Sequence, residues 1–551
     1  MICETLPGTA TGTAAPIVVG DTGRLSLDGV MAVARDYAEV GLSEAAQARM
    51  RRSRALLLDK LARGEAIYGV TTGFGGNAHY QIPPSKLGDL QTNLLRMLKA
   101  GVGRYLPPEV VRASMLLRIN ALAFGWSSAR VGAALHLVEF LNRRVTPLVP
   151  EYGSVGASGD LIPTCYIASC LCGEGTVLVD GAAIPAAEAL RRMGLAPLTL
   201  EAKEGLALLN GTTMMTALAA MALAQVESAF AVALGAIAMA AEALGSSADY
   251  YDPRIQSVKG HPGQIAVAAI MRKLLEGSAL APGLEEIRAR VARTGALARQ
   301  QDSVEAAPES LQAPYSLRCV PQGLGPMWDS LGAVREVVER EVNSVNDNPL
   351  VDPETGDVLH TGNFYGGHIA RYLDGMKIDI ATLANWLHSI VALLMDSRFS
   401  RGLPNSLSPN PGLHQGFKGL QLCHSSLVTS LRQQSAPSSI HTLPTEQYNQ
   451  DVVSLGTHAA LTAFEMSAKL RDVVAMTLLA SAQAAELRGG AARLAPATRA
   501  MHAAVRAVSP MVTVDRPLDE EIASVAALID RAMIPVPKGL FPPSDSSAKR
   551  K

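Results

Sequence analysis

Residues Gly153–Leu161 read G-S-V-G-A-S-G-D-L, and the Ala157-Ser158-Gly159 core offers a chemistry that no ordinary side chain supplies. If the Gly159 amide nitrogen attacks the Ala157 carbonyl, a five-membered ring closes. Loss of water, taking the Ser158 hydroxyl, then leaves an exposed methylidene, which is an electrophile. Small side chains suit so compressed a turn, because glycine has no Cβ to obstruct it. A-S-G is also a common loop tripeptide, so its surroundings must decide. Asp160 and Pro163 lead into T-C-Y-I-A-S-C-L, an apolar run of helical length, with Asp160 as its N-cap and Pro163 in its first turn. The tripeptide then sits at a helix N-terminus, whose partial positive charge makes an adjacent electrophile more reactive.

Five further loops carry unusual side chains. Ile67 to Asn77 reads I-Y-G-V-T-T-G-F-G-G-N, a glycine-rich loop whose only titratable group is Tyr68. It fails as a phosphate loop, since no Lys-Ser/Thr pair follows. Lys203 to Thr213 reads K-E-G-L-A-L-L-N-G-T-T and places the Asn210 amide at the mouth of an Ala-rich helix. Gln312 to Arg318 reads Q-A-P-Y-S-L-R; on one helical turn Tyr315 and Arg318 share a face, and an Arg fork there grips either a carboxylate ligand or a structural partner. Asn343 to Pro349 reads N-S-V-N-D-N-P, followed by T-G-N-F-Y-G-G over 361–367. Pro444 to Leu455 reads P-T-E-Q-Y-N-Q-D-V-V-S-L, more polar side chains than capping requires. A serine hydrolase is disfavoured, because G-A-S-G lacks the G-x-S-x-G spacing.

The elements that must hold these loops are helices. Apolar periodicity predicts one over about 43–61, capped by Ser43, and another over 85–101. Further long patterns occupy roughly 108–124, 129–144, 205–245, 328–345, 372–396 and 458–487. At 551 residues the chain has room for two or three domains or one large helical assembly. Hydrophobic residues make up 48% but aromatics only 4%, so the core must be built from Ala, Leu, Val and Met, which suits closely packed helices. A net charge of −1 argues against capture of nucleic acid or an anionic membrane. The six cysteines match no zinc spacing and read as buried reduced thiols, which implies a cytoplasmic setting. The Ala-rich stretch 214–244 carries Gln225 and Glu227 and reads as a buried bundle helix rather than a membrane span. The expected layout is a flexible N-terminus over 1–20, a tripeptide-bearing domain over 21–210, a helical bundle with C-terminal helices over 211–540, and a flexible tail over 541–551.

Taken in order, Y-G-V-T-T-G-F-G, G-S-V-G-A-S-G-D-L, K-E-G-L-A-L-L-N-G-T, Y-S-L-R-C-V-P-Q, N-S-V-N-D-N-P-L and E-Q-Y-N-Q-D-V-V-S-L-G span roughly 65–460. In this the chain resembles the aromatic amino acid ammonia-lyase family, which includes histidine, phenylalanine and tyrosine ammonia-lyases and related 2,3-aminomutases. The resemblance implies a mainly α fold of the aspartase/fumarase-like type. It also implies a homotetramer whose active sites draw on several chains. It implies that Ala157-Ser158-Gly159 cyclises to 4-methylideneimidazol-5-one (MIO), with no external cofactor and no metal.

By the same resemblance Tyr68 is the base for the substrate β-proton, its phenol lowered in pKa by the positive helix ends gathered there. Arg318 holds the substrate carboxylate with Tyr315 beside it. Asn210, Gln312 and Asn346 position cofactor and substrate, Phe364 packs near the cofactor ring, and Leu206, Glu446 and Gln450 match active-site positions. The chain departs from the family at Ala313-Pro314, where members carry an acidic residue after the glutamine. Histidine-selective members carry Gln-Glu-Asp-His where this chain has Asn449-Gln450-Asp451-Val452, which disfavours histidine. The selectivity pair aligns with Met97-Leu98; phenylalanine-selective members have Phe-Leu there and tyrosine-selective ones His-Leu. Met97 donates no hydrogen bond to a phenol, so L-phenylalanine is the expected substrate of a small-molecule lyase, with L-tyrosine second. An aminomutase shares all these residues, and a non-catalytic helical homologue remains as a contrasting class.

Overall fold

The computed structural model describes residues 16–537 apart from 22 and 308; Cys3 and the tail expected over 541–551 lie outside the described residues. The mainly α expectation holds. Four helices form the centre: Thr213–Ala243, Val320–Val342, Gly367–Met395 and Gly456–Leu487. Thr213–Ala243 and Gly456–Leu487 pack most extensively against each other, and both pack on Gly367–Met395. Alanines fill the buried faces, as at Ala217, Ala233 and Ala480, and small side chains let the helix axes approach closely. Gln225 and Glu227, singled out within the Ala-rich helix, are satisfied: Glu227 pairs with Arg335, and Gln225 accepts from Ser467 Oγ at 2.5 Å. Thr213–Ala243 and Gly367–Met395 are long and apolar enough to cross a membrane, and 83% of the apolar window of the first is buried inside the bundle.

Around one end of the bundle lie shorter helices and small sheets. Ser43 caps Glu44–Ala62 through Oγ, accepting from the Ala46 N–H at 3.1 Å, as its position predicts. Within the 1–20 stretch expected to be flexible, Ile17–Val19 form a strand paired in parallel with Val40–Leu42, while residues 1–15 lie outside the described residues. The helix expected over 85–101 spans Leu87–Met97 and gives way to a strand, Val102–Tyr105.

One discrepancy bears on function. The pattern over 205–245 is two helices, Glu204–Leu209 and Thr213–Ala243, broken at Asn210 and Gly211. Gly211 has φ +127°, and a Cβ there would come within 2.1 Å of Asn346 Oδ1. Only glycine permits that bend, which apolar periodicity alone does not reveal. The expectation of buried thiols holds only in part: Cys165 and Cys170 are buried free thiols, pushed up by burial to about 11 and about 12, whereas Cys172 and Cys319 are half-buried and Cys423 on the helix Lys418–Gln434 is exposed.

Candidate active site

The tripeptide lies in a turn compressed from several sides. Gly156 (φ +78°), Ser158 (φ +50°) and Gly159 (φ +76°) all take left-handed conformations, which cost a non-glycine residue such as Ser158 about 1 kcal/mol or more. The Gly211 N–H donates to Ser158 O at 3.2 Å, and the Asp160 N–H returns to Gly211 O at 2.7 Å. A Cβ on Gly159 would come within 2.0 Å of Gly211 O, so glycine is obligatory there. From the far end of the sequence the Leu455 N–H donates to Val155 O at 3.0 Å. Ser158 Oγ, the hydroxyl that ring formation would eliminate, accepts from Gln450 Nε2 at 3.3 Å. These residues fit the ring: an obligatory glycine, a folded backbone, and a donor already aimed at the carbonyl that would belong to it.

Asp160 corrects one expectation. It stands at the N-cap position of Leu161–Leu171 but makes no side-chain cap there. Its carboxylate instead accepts from the Met214 and Met215 N–H groups at 2.8 and 2.9 Å, at the start of Thr213–Ala243, and from Thr457 Oγ1 at 2.6 Å. Burial pushes this carboxyl up to about 6, and the three hydrogen bonds oppose the rise. One buried side chain thus ties together the beginnings of three helices. A fourth, Gly367–Met395, starts beside them, its preceding Gly366 lying against Met215 and Ser454. The positive helix ends therefore converge on the tripeptide, as expected.

Tyr68, Ala157, Ser158, Phe364 and Gln450 line one cavity of about 420 Å³. Tyr68 is half-buried, and its Oη accepts from the Gly75 N–H at 2.9 Å. Here the electrostatic expectation fails within a single chain. Burial raises the phenol above its ordinary value, the Glu446 carboxyl raises it further, and the Gly75 N–H opposes them without prevailing. The Glu446 carboxyl packs against Gly75, where a Cβ would meet it at 2.1 Å, and partial desolvation pushes it up as well. Glu446, Gln447 and Tyr448 occupy three successive left-handed conformations, so the segment that brings Glu446 to the Tyr68 loop is strained.

Behind the cavity wall, Leu206 is buried and presses on Gly69, the residue after Tyr68. Gln91, absent from the sequence expectations, accepts from the Leu206 N–H and donates to Gly69 O, both at 3.0 Å. Asn210 and Asn346 each keep a buried Oδ1 without a hydrogen-bond partner. Their loops are joined by Lys203 and Asp347, a fully buried ion pair at 2.5 Å. Neither asparagine lines the cavity of the single chain.

Two groups of expected residues lie elsewhere. Met97 is 58% exposed, and Leu98 packs on the main core; neither borders the cavity. Gln312, Tyr315 and Arg318 are remote from it. Trp386 Nε1 donates to Ser316 O at 2.9 Å, and Trp386 lies about 29 Å along Gly367–Met395, at 1.5 Å per residue, from the end that starts beside the tripeptide. Tyr315 and Arg318 do share a face: the guanidinium lies 4.6 Å from the ring centroid, and Tyr315 is 70% exposed. Ala313 and Pro314 leave that segment well held, with Ala313 O accepting from Arg318 Nε at 3.0 Å and the Ala313 N–H donating to Tyr250 Oη at 3.0 Å. Among the described residues no carboxylate pairs with Arg318.

A helical bundle whose helix N-termini converge on a folded A-S-G turn, facing a buried phenol, defines a carbon–nitrogen lyase centre. The chain belongs to the aromatic amino acid lyase family, whose model matches residues 25–507. It is 41% identical over 520 residues to a histidine ammonia-lyase from Anaeromyxobacter sp. (strain K), covering 92% of this chain and 97% of that one. It is 40% identical over 528 residues to a tyrosine ammonia-lyase from Cupriavidus metallidurans, covering 94% and 97%. Its fold matches a tyrosine aminomutase from Streptomyces globisporus with TM-score 0.89 at 35% identity, covering 94% and 98%.

Proposed function

We propose that this chain is an ammonia-lyase that converts L-phenylalanine to trans-cinnamate and ammonia, with L-tyrosine as the second candidate. The observation that carries this reading is the strained Ser158-Gly159 turn, clamped by Gly211 and facing Tyr68 across one cavity. The MIO group, formed from Ala157-Ser158-Gly159, supplies an electrophile that makes the substrate amine a better leaving group. Tyr68 Oη takes the β-proton. The Gly211 N–H stabilises negative charge on the Ser158 carbonyl oxygen, in the manner of an oxyanion donor. Gln450 stands where histidine-selective members have a carboxylate, which disfavours histidine, and by the family resemblance Met97, held outside the single chain's cavity, offers no partner to a phenol. The relatives include histidine and tyrosine ammonia-lyases, so the test must offer all three amino acids.

Purified protein incubated separately with phenylalanine, tyrosine and histidine is expected to give arylacrylate absorbance and free ammonia fastest with phenylalanine. Faster turnover of tyrosine or histidine reassigns the substrate, and no product from any of them removes the lyase reading. The likeness to a tyrosine aminomutase gives a second reading, in which the amine returns to the β-carbon. Chiral chromatography that finds β-amino acid as the main product decides for it.

The remoteness of Arg318 supports a homotetramer with shared sites, in which one copy's Arg318 and Tyr315 reach another's tripeptide. A guanidinium arriving beside Tyr68 would also lower the phenol that burial has raised. Co-assembled Ser158→Ala and Arg318→Ala chains, each inactive alone, are expected to recover about a quarter of wild-type activity, because random mixing leaves that share of sites intact. No recovery means that the two residues never meet across chains.

A further inference from the structure

Tyr68 is not held by its own loop alone. Its backbone N–H donates to Nε2 of His360 at 3.2 Å, and His360 lines the same cavity as Tyr68, Ser158, Phe364 and Gln450. An imidazole nitrogen accepts only when unprotonated, so this contact requires the neutral ring with its proton on Nδ1.

The surrounding structure seats the backbone segments that carry both partners, although the His360 side chain is exposed in the single chain. His360 directly follows the strand Val358–Leu359, which pairs antiparallel with Leu350–Val351. Val351 belongs to a small apolar core, separate from the bundle, that also contains Ile67, Val70, Leu57 and Leu87, with Val358 packed against it. Ile67 and Val70 flank Tyr68. One cluster therefore seats both the hairpin that presents the imidazole and the segment that presents the phenol. On its other side His360 is followed by Thr361, whose N–H donates to Asn348 Oδ1 at 2.8 Å. Beyond Val70 the base loop runs T-T-G-F-G-G-N, with three glycines and no charge, so its own composition does little to stiffen it.

We propose that His360 is a positioning residue for the catalytic Tyr68. Its Nε2 pins the start of the base loop and thereby fixes where the phenol oxygen stands relative to the tripeptide. A misplaced base loses rate steeply even when its chemistry is unchanged. The proposal rests on the lyase reading for its kinetic consequence, but the anchor itself is a property of the fold and is measurable without turnover.

The test compares wild type with His360→Leu, which removes the acceptor, and His360→Gln, which keeps one at the same reach. Amide hydrogen exchange over residues 68–76 is expected to quicken about tenfold or more in His360→Leu. With the substrate identified above, kcat is expected to fall about 10- to 100-fold with KM changed far less. His360→Gln is expected to restore both. Unchanged exchange in His360→Leu, or a glutamine variant as loose as the leucine one, overturns the anchor. If wild type turns over no amino acid while the exchange pattern holds, the fault lies with the lyase reading and not with His360.

Discussion

Ser158→Ala is expected to leave a folded chain whose turnover falls by about 10³-fold or more, because the atom that becomes the electrophile comes from the serine side chain. The fold should tolerate the change. Both residues meet the same penalty at φ +50°, and among the described residues the hydroxyl's one hydrogen bond is a long 3.3 Å contact from Gln450 Nε2. The stability change should stay within about 1.5 kcal/mol. Ammonia release, a thermal melt, and loss of the near-ultraviolet absorbance of the conjugated ring together check this. Turnover within tenfold of wild type in Ser158→Ala removes the tripeptide from the mechanism.

Tyr68→Phe should cost nearly as much by a different route. The phenylalanine variant keeps the tripeptide and its clamp, so the ring absorbance should remain while kcat falls about 10²- to 10⁴-fold. It also takes the acceptor from the Gly75 N–H, which loosens the loop. The pH dependence carries a sign. The active form is the phenolate, and in the single chain the phenol lies above its ordinary 10, with burial the largest cause. The wild-type rate should therefore climb as pH rises into the alkaline range, and the climb should vanish in Tyr68→Phe. A guanidinium from another copy shifts that limb to lower pH without reversing it. A folded phenol that holds its proton longer than an unfolded one also weakens folding as pH rises past 10, the unfolded value. A kcat that falls across the same range, or a Tyr68→Phe variant of normal rate, assigns the base elsewhere.

The tripeptide, the Tyr68 loop and the helical bundle were legible in the sequence because each leaves a local mark: small residues in a row, glycines around one phenol, apolar spacing of helical period. Periodicity missed the break at Asn210-Gly211, since one permissive glycine does not interrupt an apolar stripe. Asp160 showed a capping residue but not which helix it caps; its partners at Met214, Met215 and Thr457 are set by tertiary packing. His360 and Gln91 left no signal, since each meets only backbone atoms distant in sequence, His360 the Tyr68 N–H and Gln91 both Gly69 O and the Leu206 N–H. His360 does stand directly before the T-G-N-F-Y-G-G loop, the one hint available. In the single chain Tyr68 does not show the lowered phenol expected of it, because burial outweighs the convergent helix ends.

The clamp on the tripeptide also sets a schedule. Gly211 grips Ser158 and Asp160, and Leu455 reaches back to Val155 across 300 residues of chain. A ribosome-bound copy that has emerged only as far as residue 400 holds the A-S-G sequence with the Gly211 side of the clamp but without the Leu455 side. If the proposed ring needs both sides of the clamp, its closure waits until translation has passed Thr457 and its helix has docked on Asp160. On the proposed chemistry a chain cut short of that helix would carry no electrophile, and the ring's appearance during refolding would report that Gly456–Leu487 is home.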